Sequence, residues 1–261
     1  MTSNPAPLFR VRPSIVLFGD SITQFAFGVP ESPQGWATHL SASYSRRADI
    51  FSRGFSGYNT DMAVDLLSRV FTGPFPPVTP DRAEQIQPDV LFCTVFFGAN
   101  DAALPGGKQH VPKERYAKNL ETIVNHIRSS LNSKDLPVIL ITPPPFDAPA
   151  WMKFLQVTEP GRSNDVAKEY GDEVKKVAQK MNCEVVDTWE LLEGNSANKS
   201  KHLSDGLHLN DSGNRLVYDG LMDCISKSYP HLLPMLDGDG RHGQSGVPLE
   251  EDLWGEVLAY K

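Results

Sequence analysis

Cysteine is scarce in this sequence of 261 residues, which contains only Cys93, Cys183 and Cys224. The three residues are far apart, odd in number and set among apolar neighbours, and they show no metal-ligand spacing. Small secreted domains, by contrast, use several paired cysteines to compensate for a small core. We therefore expect three reduced thiols in the core, and neither a disulfide framework nor a cysteine-based metal site.

Clusters of basic residues are also missing. The sequence has 25 lysines and arginines against 32 aspartates and glutamates, which gives a net charge of −7. Proteins that bind nucleic acid or an anionic membrane surface normally present a basic patch to the phosphate groups. The composition therefore predicts that neither of these is a partner.

Long hydrophobic runs are absent too. No stretch reaches the roughly 20 apolar residues that span a bilayer, and the opening MTSNPAPLFRVRP contains no apolar signal-peptide region. The closing LAYK is not a targeting tripeptide. These features predict a cytoplasmic protein with no integral membrane association.

Two common enzyme motifs give no support to their usual functions. No G-x-S-x-G sequence occurs, which argues against the nucleophile turn of the α/β-hydrolases. Residues 238–243 match G-x-G-x-x-G, but they follow no strand pattern and open no periodic helix. This match therefore does not predict a dinucleotide site.

Strand and helix patterns alternate along the sequence. Short apolar runs predict strands at 14–18, 48–52, 89–97, 136–142 and 183–187. Helical spacing predicts helices after Pro112 and after Ser163, at 59–70 with an Asn59 or Thr60 cap, and at 211–226 after Asn210. Because the strands are continuously apolar, both faces of the sheet must be covered. This predicts an α/β fold with a parallel sheet and helices on each side.

The length and the 40% hydrophobic content are sufficient for one α/β domain with a sizeable core. We expect this domain to span residues 1–229. Residues 230–261 then form a C-terminal extension, in which apolar residues recur near helical spacing. The extension is expected to pack on the same domain or on a second subunit, and the latter would make a homodimer.

Small polar residues follow the first three predicted strands, and chemistry collects at the carboxyl ends of parallel strands. The sequences are GDS at 19–21, RGFSG at 53–57 and GAND at 98–101. Ser21 could be a nucleophile, or it could merely cap the following helix. The neighbouring Asp20 is better explained by hydrogen bonds to nearby backbone than by a role in proton transfer.

A serine nucleophile needs a base, and His208 is the best placed of the seven histidines. Asp205 lies three residues before it, across Gly206, so its carboxylate can reach the imidazole Nδ1. Such an aspartate fixes the histidine tautomer and supports the imidazolium that forms during the reaction. The alternatives are an ordinary loop histidine and an aspartate that only shapes a turn or a helix start.

The tetrahedral intermediate of acyl transfer needs hydrogen-bond donors. Three are available for an oxyanion hole: the N–H groups of Ser21 and Gly57 and the side-chain amide of Asn100. Gly57 could instead serve a turn with positive φ, and Asn100 an Asx turn with Asp101, although either residue can serve both purposes. Aromatic residues that could line an ester pocket, or belong to the core, are Phe25, Phe27, Trp36, Phe55, Phe97 and Trp151.

Four sequence blocks, GDSIT, GFSGYNT, GAND and DGLH, occur in this order between residues 19 and 208. In order and spacing they resemble the blocks that define the SGNH, or GDSL-type, hydrolase superfamily. On this resemblance, Ser21, Gly57, Asn100 and His208 match the eponymous residues, and Asp205 matches the third member of the triad. The resemblance implies a three-layer flavodoxin-like fold, a five-stranded parallel sheet in the order 2-1-3-4-5, and no metal or organic cofactor.

Within the superfamily, FGDSIT, the full GAND and the PPPFD region look most like the isoamyl-acetate-hydrolysing esterase group, whose members cleave acetate esters of small alcohols. Segments 72–87 and 143–162 depart from the compact core pattern, so they leave the substrate pocket undefined. The expected function is a serine esterase that hydrolyses short-chain, acetate-type esters of small molecules through an acyl-enzyme. An acyltransferase, thioesterase or lysophospholipase with the same triad is the alternative. A non-catalytic binding module would be expected to lack a triad residue, and none is missing.

Overall fold

Five parallel strands form a central sheet. The computed structural model describes residues 12–71, 90–131, 133–234 and 247. Its strands are β1 (Ser14–Gly19), β2 (Asp49–Gly54), β3 (Val90–Phe96), β4 (Val138–Ile141) and β5 (Glu184–Val186). They are hydrogen-bonded in the order β2-β1-β3-β4-β5, and each pairing is parallel. The predicted fold class and strand order are therefore confirmed.

Several helices begin directly after a residue whose side chain caps them. Among the described residues the α-helices are α1 (Ser21–Gln24), α2 (Trp36–Ser43), α3 (Thr60–Val70), α4 (Lys113–Ser130), α5 (Ala148–Leu155), α6 (Asn164–Met181), α7 (Thr188–Leu191) and α8 (Asp211–Ser228). Short 3₁₀ helices cover Ala197–His202 and Pro230–Leu232. The side chains of Asn59, Ser163 and Asn210 cap α3, α6 and α8 by accepting backbone N–H bonds. The four predicted helices thus correspond to α3, α4, α6 and α8.

Side chains on the two faces of the sheet enter two separate core clusters, because successive residues of a strand point to opposite faces. Ile15 of β1 packs in one cluster with Trp36 of α2 and Val217 of α8. Its neighbour Val16 lies in the other cluster, with Tyr116 of α4. All five side chains are fully buried. Helices therefore cover both faces of the sheet, and the molecule has three layers.

Among the helices that were not predicted from the sequence, the two longest are α2 and α5. Each is eight residues long, so the helical period barely repeats twice. Helix α5 also buries none of its residues, and Phe154 and Leu155 at its end are 60% and 46% exposed. An apolar segment that is not buried cannot show the one-sided pattern on which helix prediction depends.

Residues that follow α8 contact the residues that follow α2. The Tyr44 hydroxyl donates to the carbonyl of Leu232 at 2.7 Å, and the Arg47 guanidinium donates to the carbonyl of Val247 at 3.0 Å. The segments 235–246 and 248–261, which include the G-x-G-x-x-G match, lie outside the described residues. The division into a 1–229 domain and a 230–261 extension therefore stays a prediction.

All three cysteines are described, and none of them is paired. Cys93 and Cys224 are buried, and burial raises the pKa of the Cys224 thiol to about 12. Such a thiol stays protonated at neutral pH and behaves as a small apolar side chain. Among the described residues, none of the helices combines the length and the apolar character needed to cross a bilayer.

Candidate active site

Three loops start from adjacent strand ends at the carboxyl edge of the sheet. The N–H of Phe55, just after β2, donates to the carbonyl of Gly19 in β1 at 2.8 Å. The N–H of Asp20, just after β1, donates to the carbonyl of Phe96 in β3 at 3.2 Å. These bonds hold together the loops that carry the first three sequence blocks.

The position of the Ser21 hydroxyl is set by His208. Ser21 is the first residue of α1, and it is only 5% exposed. The cap of α1 is Asp20, whose carboxylate accepts the N–H of Ile22 at 3.0 Å. Ser21 Oγ lies 2.9 Å from His208 Nε2. The hydroxyl is therefore not a helix cap, and it is hydrogen-bonded to the imidazole instead.

The loop between Asp205 and His208 folds the carboxylate back onto the imidazole. Asp205 Oδ2 lies 2.6 Å from His208 Nδ1, while Oδ1 accepts the N–H groups of Leu207 at 2.9 Å and of His208 at 2.8 Å. Gly206 makes this turn possible, because its φ is +99° and an added Cβ would lie 2.5 Å from the carbonyl of Asp147. The sequence spacing had predicted this geometry.

The charge state of Asp205 follows from its surroundings. Burial raises the pKa of its carboxyl, but the hydrogen bond and charge of His208, together with two backbone N–H donors, lower it more. The net pKa lies below the ordinary value, so the carboxyl is ionised at neutral pH. Hydrogen bonds thus link an anion, an imidazole and a hydroxyl in series.

Gly57 and Asn100 lie on the neighbouring loops. Gly57 has a φ of +80°, and its carbonyl accepts a bond from Gln109 Nε2 at 2.8 Å. Asn100 Nδ2 donates to the carbonyl of Tyr58 at 2.8 Å, which binds the two loops together. An amide nitrogen carries two hydrogens, so the second remains available to a ligand. Within the described residues, no backbone acceptor pairs with the N–H groups of Ser21 and Gly57.

Two buried carboxyls flank these loops. Burial is the main cause that raises the pKa of Asp20 and of Asp101, in each case to about 7. Asp101 accepts bonds from the N–H and the hydroxyl of Thr60 at 2.9 and 2.5 Å. The other carboxylate oxygen of each residue, Oδ2, is buried and has no hydrogen-bond partner among the described residues. Within the described part of the chain, no group of three or more histidine, cysteine or acidic residues is arranged to hold a metal ion.

A cavity of about 820 Å³ opens beside His208. Residues that line it include Phe25, Val29, Phe154, Asp205, Asp211 and Asn214. The ring of Phe25 lies edge-on to the His208 ring at 5.6 Å, and the Trp151 ring lies at 6.3 Å from it. Of the other aromatic candidates, Trp36 and Phe97 are buried in the core. Segment 72–87, which was expected to influence the pocket, lies outside the described residues.

Sequence analysis did not identify three residues that hold the site loops. Gln24 Oε1 accepts the N–H of Ser56 at 2.7 Å, next to Gly57. Gln109 holds the Gly57 carbonyl, and Arg162 contacts both Gln109 and Asn100. These side chains belong to none of the four sequence blocks, and the sequence contains no signal that marks them.

Residues 17–216 match the model of the GDSL-like Lipase/Acylhydrolase family, and the chain belongs to this family. It is similar to the isoamyl acetate-hydrolyzing esterase 1 homolog of Mus musculus, with 39% identity over 232 residues that cover 85% of this chain and 86% of the mouse protein. A GDSL esterase/lipase of Arabidopsis thaliana is 37% identical over 236 residues, covering 86% and 90% of the two chains. Family and relatives together establish that the chain is a carboxylic ester hydrolase.

Solved structures of bacterial proteins share the fold. A lipase/acylhydrolase from Enterococcus faecalis superposes with a TM-score of 0.60 at 24% identity, covering 86% of this chain and 99% of its own. Est24, a carbohydrate acetylesterase from Sinorhizobium meliloti, also has a TM-score of 0.60, at 18% identity, and covers 84% and 100%. At these identities the comparison concerns the fold alone.

Proposed function

We propose that this enzyme hydrolyses short-chain carboxylic esters with Ser21 as the nucleophile, His208 as the general base and Asp205 as the residue that orients the base. One observation carries the proposal: the hydrogen-bond series Asp205 Oδ2, His208 Nδ1, His208 Nε2 and Ser21 Oγ, with distances of 2.6 and 2.9 Å. This series is what an activated hydroxyl needs, because the base accepts its proton while the carboxylate stabilises the resulting cation.

In the acylation step, Ser21 Oγ attacks the ester carbonyl carbon and its proton passes to His208 Nε2. The carbonyl oxygen becomes an oxyanion, which the N–H groups of Ser21 and Gly57 and the amide of Asn100 stabilise. His208 then returns the proton to the departing alcohol, which leaves an acyl group on Ser21. In the second half, water attacks the acyl carbon, gives a proton to His208, and the acid is released as Ser21 regains its proton.

The substrate class is inferred from the relatives and the cavity. Several relatives, those of mouse and human among them, are named for the hydrolysis of isoamyl acetate, an ester of a short acid and a small branched alcohol. The cavity beside His208 has about 820 Å³, and the apolar side chains of Phe25, Val29 and Phe154 contribute to its wall. Polar residues such as Glu31 and Asn214 line the rest of it, and a volume and mixed lining of this kind are typical of a site for a small molecule.

An active-site label tests the assignment of the nucleophile. A fluorophosphonate should modify Ser21 in one-to-one stoichiometry, because its hydroxyl is bonded to the His208 imidazole, which Asp205 orients. Ser21→Ala should lose both labelling and turnover. Ser204 is a suitable control, since it lines the cavity beside His208 but donates to the carbonyl of His208 and not to the ring. Modification of Ser204 in place of Ser21, located by peptide mass spectrometry, would contradict the assignment.

A series of p-nitrophenyl esters tests the substrate class. Acetyl and butyryl esters should have far higher kcat/KM than the palmitoyl ester. The reverse ranking would indicate a lipase or lysophospholipase. Adding a small alcohol as a second acceptor measures transfer against hydrolysis, and a product dominated by the new ester would indicate an acyltransferase instead.

A further inference from the structure

Arg162 is a buried cation beside the proposed oxyanion hole. It precedes α6 and is only 8% exposed. Its backbone forms an isolated β-bridge with Ala103, and the N–H of Leu104 donates to the carbonyl of Gly161 at 2.9 Å. These bonds attach the segment before α6 to the loop that follows β3. Arg162 is therefore held against the loop that carries Asn100.

The guanidinium contacts the loop that carries Asn100, and Gln109 connects it to the loop that carries Gly57. Nη1 donates to the carbonyl of Ala99. Nη2 donates to Oδ1 of Asn100 at 3.3 Å and to Oε1 of Gln109 at 2.6 Å. Gln109 in turn donates through Nε2 to the carbonyl of Gly57 at 2.8 Å. One side chain thus contacts Asn100 directly and Gly57 through a single intermediate.

These contacts differ from those of an arginine that only neutralises buried acids. Asp20 and Asp101 each keep one buried oxygen without a hydrogen-bond partner, although the positive charge of Arg162 acts on both. The hydrogen bonds found for the guanidinium go to a backbone carbonyl and to two amide oxygens. This choice of acceptors indicates a role in fixing the orientation of amides.

We propose that Arg162 is a positioning residue that orients the oxyanion hole through Asn100 and Gln109, an inference that rests on the proposed function. Since its N–H can bond only the oxygen of the Asn100 amide, the guanidinium prevents that amide from flipping and keeps Nδ2 directed at the Tyr58 carbonyl, with its second hydrogen available to the oxyanion. A cation on the oxygen also polarises the amide, which makes Nδ2–H a stronger donor. Gln109 is oriented in the same way, so its Nε2 faces the Gly57 carbonyl.

Arg162→Lys tests the inference. Lysine keeps the charge but replaces a planar fork by a single ammonium, so it cannot hold the three acceptors together. Misplacement of catalytic groups by about 1 Å costs on the order of 100-fold in rate, and we expect kcat and the rate of phosphonate labelling of Ser21 to fall by about 10- to 100-fold. KM should change by less than about threefold, because the oxyanion donors act mainly in the transition state.

Arg128→Lys is the matched control. Arg128 likewise bonds three acceptors, the backbone carbonyls of Leu136, Met181 and Asn182, but these lie before β4 and at the end of α6, at the amino edge of the sheet and away from the site loops. Its variant should lose thermal stability and keep kcat. If Arg162→Lys behaves like Arg128→Lys, with a lower melting temperature and normal kcat, Arg162 is a structural residue and the inference is wrong.

A second comparison isolates the route of the effect. In an Asn100→Ala, Gln109→Glu background, Arg162→Lys should change kcat by less than about threefold, because the groups it positions are already lost. An undiminished loss in that background would overturn the inference. If Arg162→Lys does not fold, the Gln109→Glu variant is the test. Its carboxylate still accepts from Arg162 but cannot donate to the Gly57 carbonyl, so kcat should fall. A normal kcat in this variant would refute the proposal. Failure of the unmutated enzyme to label at Ser21 refutes the proposed function itself.

Discussion

Replacing Asp205 by asparagine should remove most of the activity while leaving the fold intact. In the structure, Asp205 Oδ1 accepts two backbone N–H groups, and Oδ2 faces His208 Nδ1 at 2.6 Å. An asparagine keeps one oxygen for the two N–H groups, so the turn can form. Its NH₂ group, however, takes the place of the oxygen that accepted the imidazole N–H.

The expected loss follows from the tautomer of His208. Two N–H groups cannot face each other, so the neutral ring must carry its proton on Nε2, the atom that lies 2.9 Å from Ser21 Oγ. This tautomer cannot accept the serine proton. In serine hydrolases the equivalent change lowers kcat by about 10⁴-fold, which corresponds to about 5.5 kcal/mol in the barrier. We expect a loss of this order in Asp205→Asn.

The assay measures kcat on a short-chain ester together with the melting temperature. Loss of one charge-assisted hydrogen bond should lower stability by about 1–3 kcal/mol, which the fold can tolerate. Asp187→Asn is a matched control, because Asp187 also accepts a backbone N–H, from Glu190, but lies at the start of α7 after β5. If Asp205→Asn retains more than a tenth of kcat, Asp205 does not set the tautomer of His208.

Two further predictions concern single residues. Asn100→Ala should lower kcat by about 100- to 1000-fold with little change in KM, and a loss that appears only in the melting temperature would exclude Asn100 from the oxyanion hole. Asp20→Asn should change how stability depends on pH. Since burial raises the pKa of Asp20 in the folded protein from its ordinary 3.8 to about 7, its contribution to the free energy of unfolding is fully present below about pH 4 and declines by about 1.4 kcal/mol per pH unit as the pH rises towards 7. Asparagine can still cap α1, so the variant should fold. Between pH 5 and 7, chemical denaturation should show a smaller decline in its free energy of unfolding than in that of the unmutated protein. An equal decline in both proteins would refute the raised pKa of Asp20.

The sequence was sufficient to predict the features that depend on local pattern. Buried parallel strands need continuous apolar residues, which made β1 to β5 visible, although their ends differ by one or two residues from the prediction. The Asp205–His208 contact is also local, since it spans three residues and one glycine turn. Ser21 and His208 are far apart in the sequence. Their proximity could be predicted only because parallel strands bring their carboxyl ends to one edge of the sheet.

The supporting residues could not be predicted for a related reason. Arg162 and Gln109 act through side chains that cross between loops 53 residues apart, and no periodicity or turn preference fixes such a pairing. Helix α5 was missed because it is not buried, so its apolar residues do not follow a one-sided pattern. Residues that shape the cavity could not be predicted either, because the path of the folded chain brings them together and their spacing in the sequence does not.

Asp20 and Asp205 interact with the same histidine, but their surroundings shift their pKa values in opposite directions. Asp205 receives two N–H bonds and the imidazole, which together lower the pKa of its carboxyl despite partial burial. Asp20 receives one N–H bond and is fully buried, so burial dominates and raises its pKa to about 7. Asp205 therefore loses its proton at a much lower pH than Asp20 does. This division suits the proposed reaction, because an anion at Asp205 stabilises the imidazolium, whereas an anion at Asp20, adjacent to Ser21, would repel the developing oxyanion. Below pH 7, the burial that makes an ionised Asp20 unfavourable for folding thus also favours a neutral Asp20 beside the transition state.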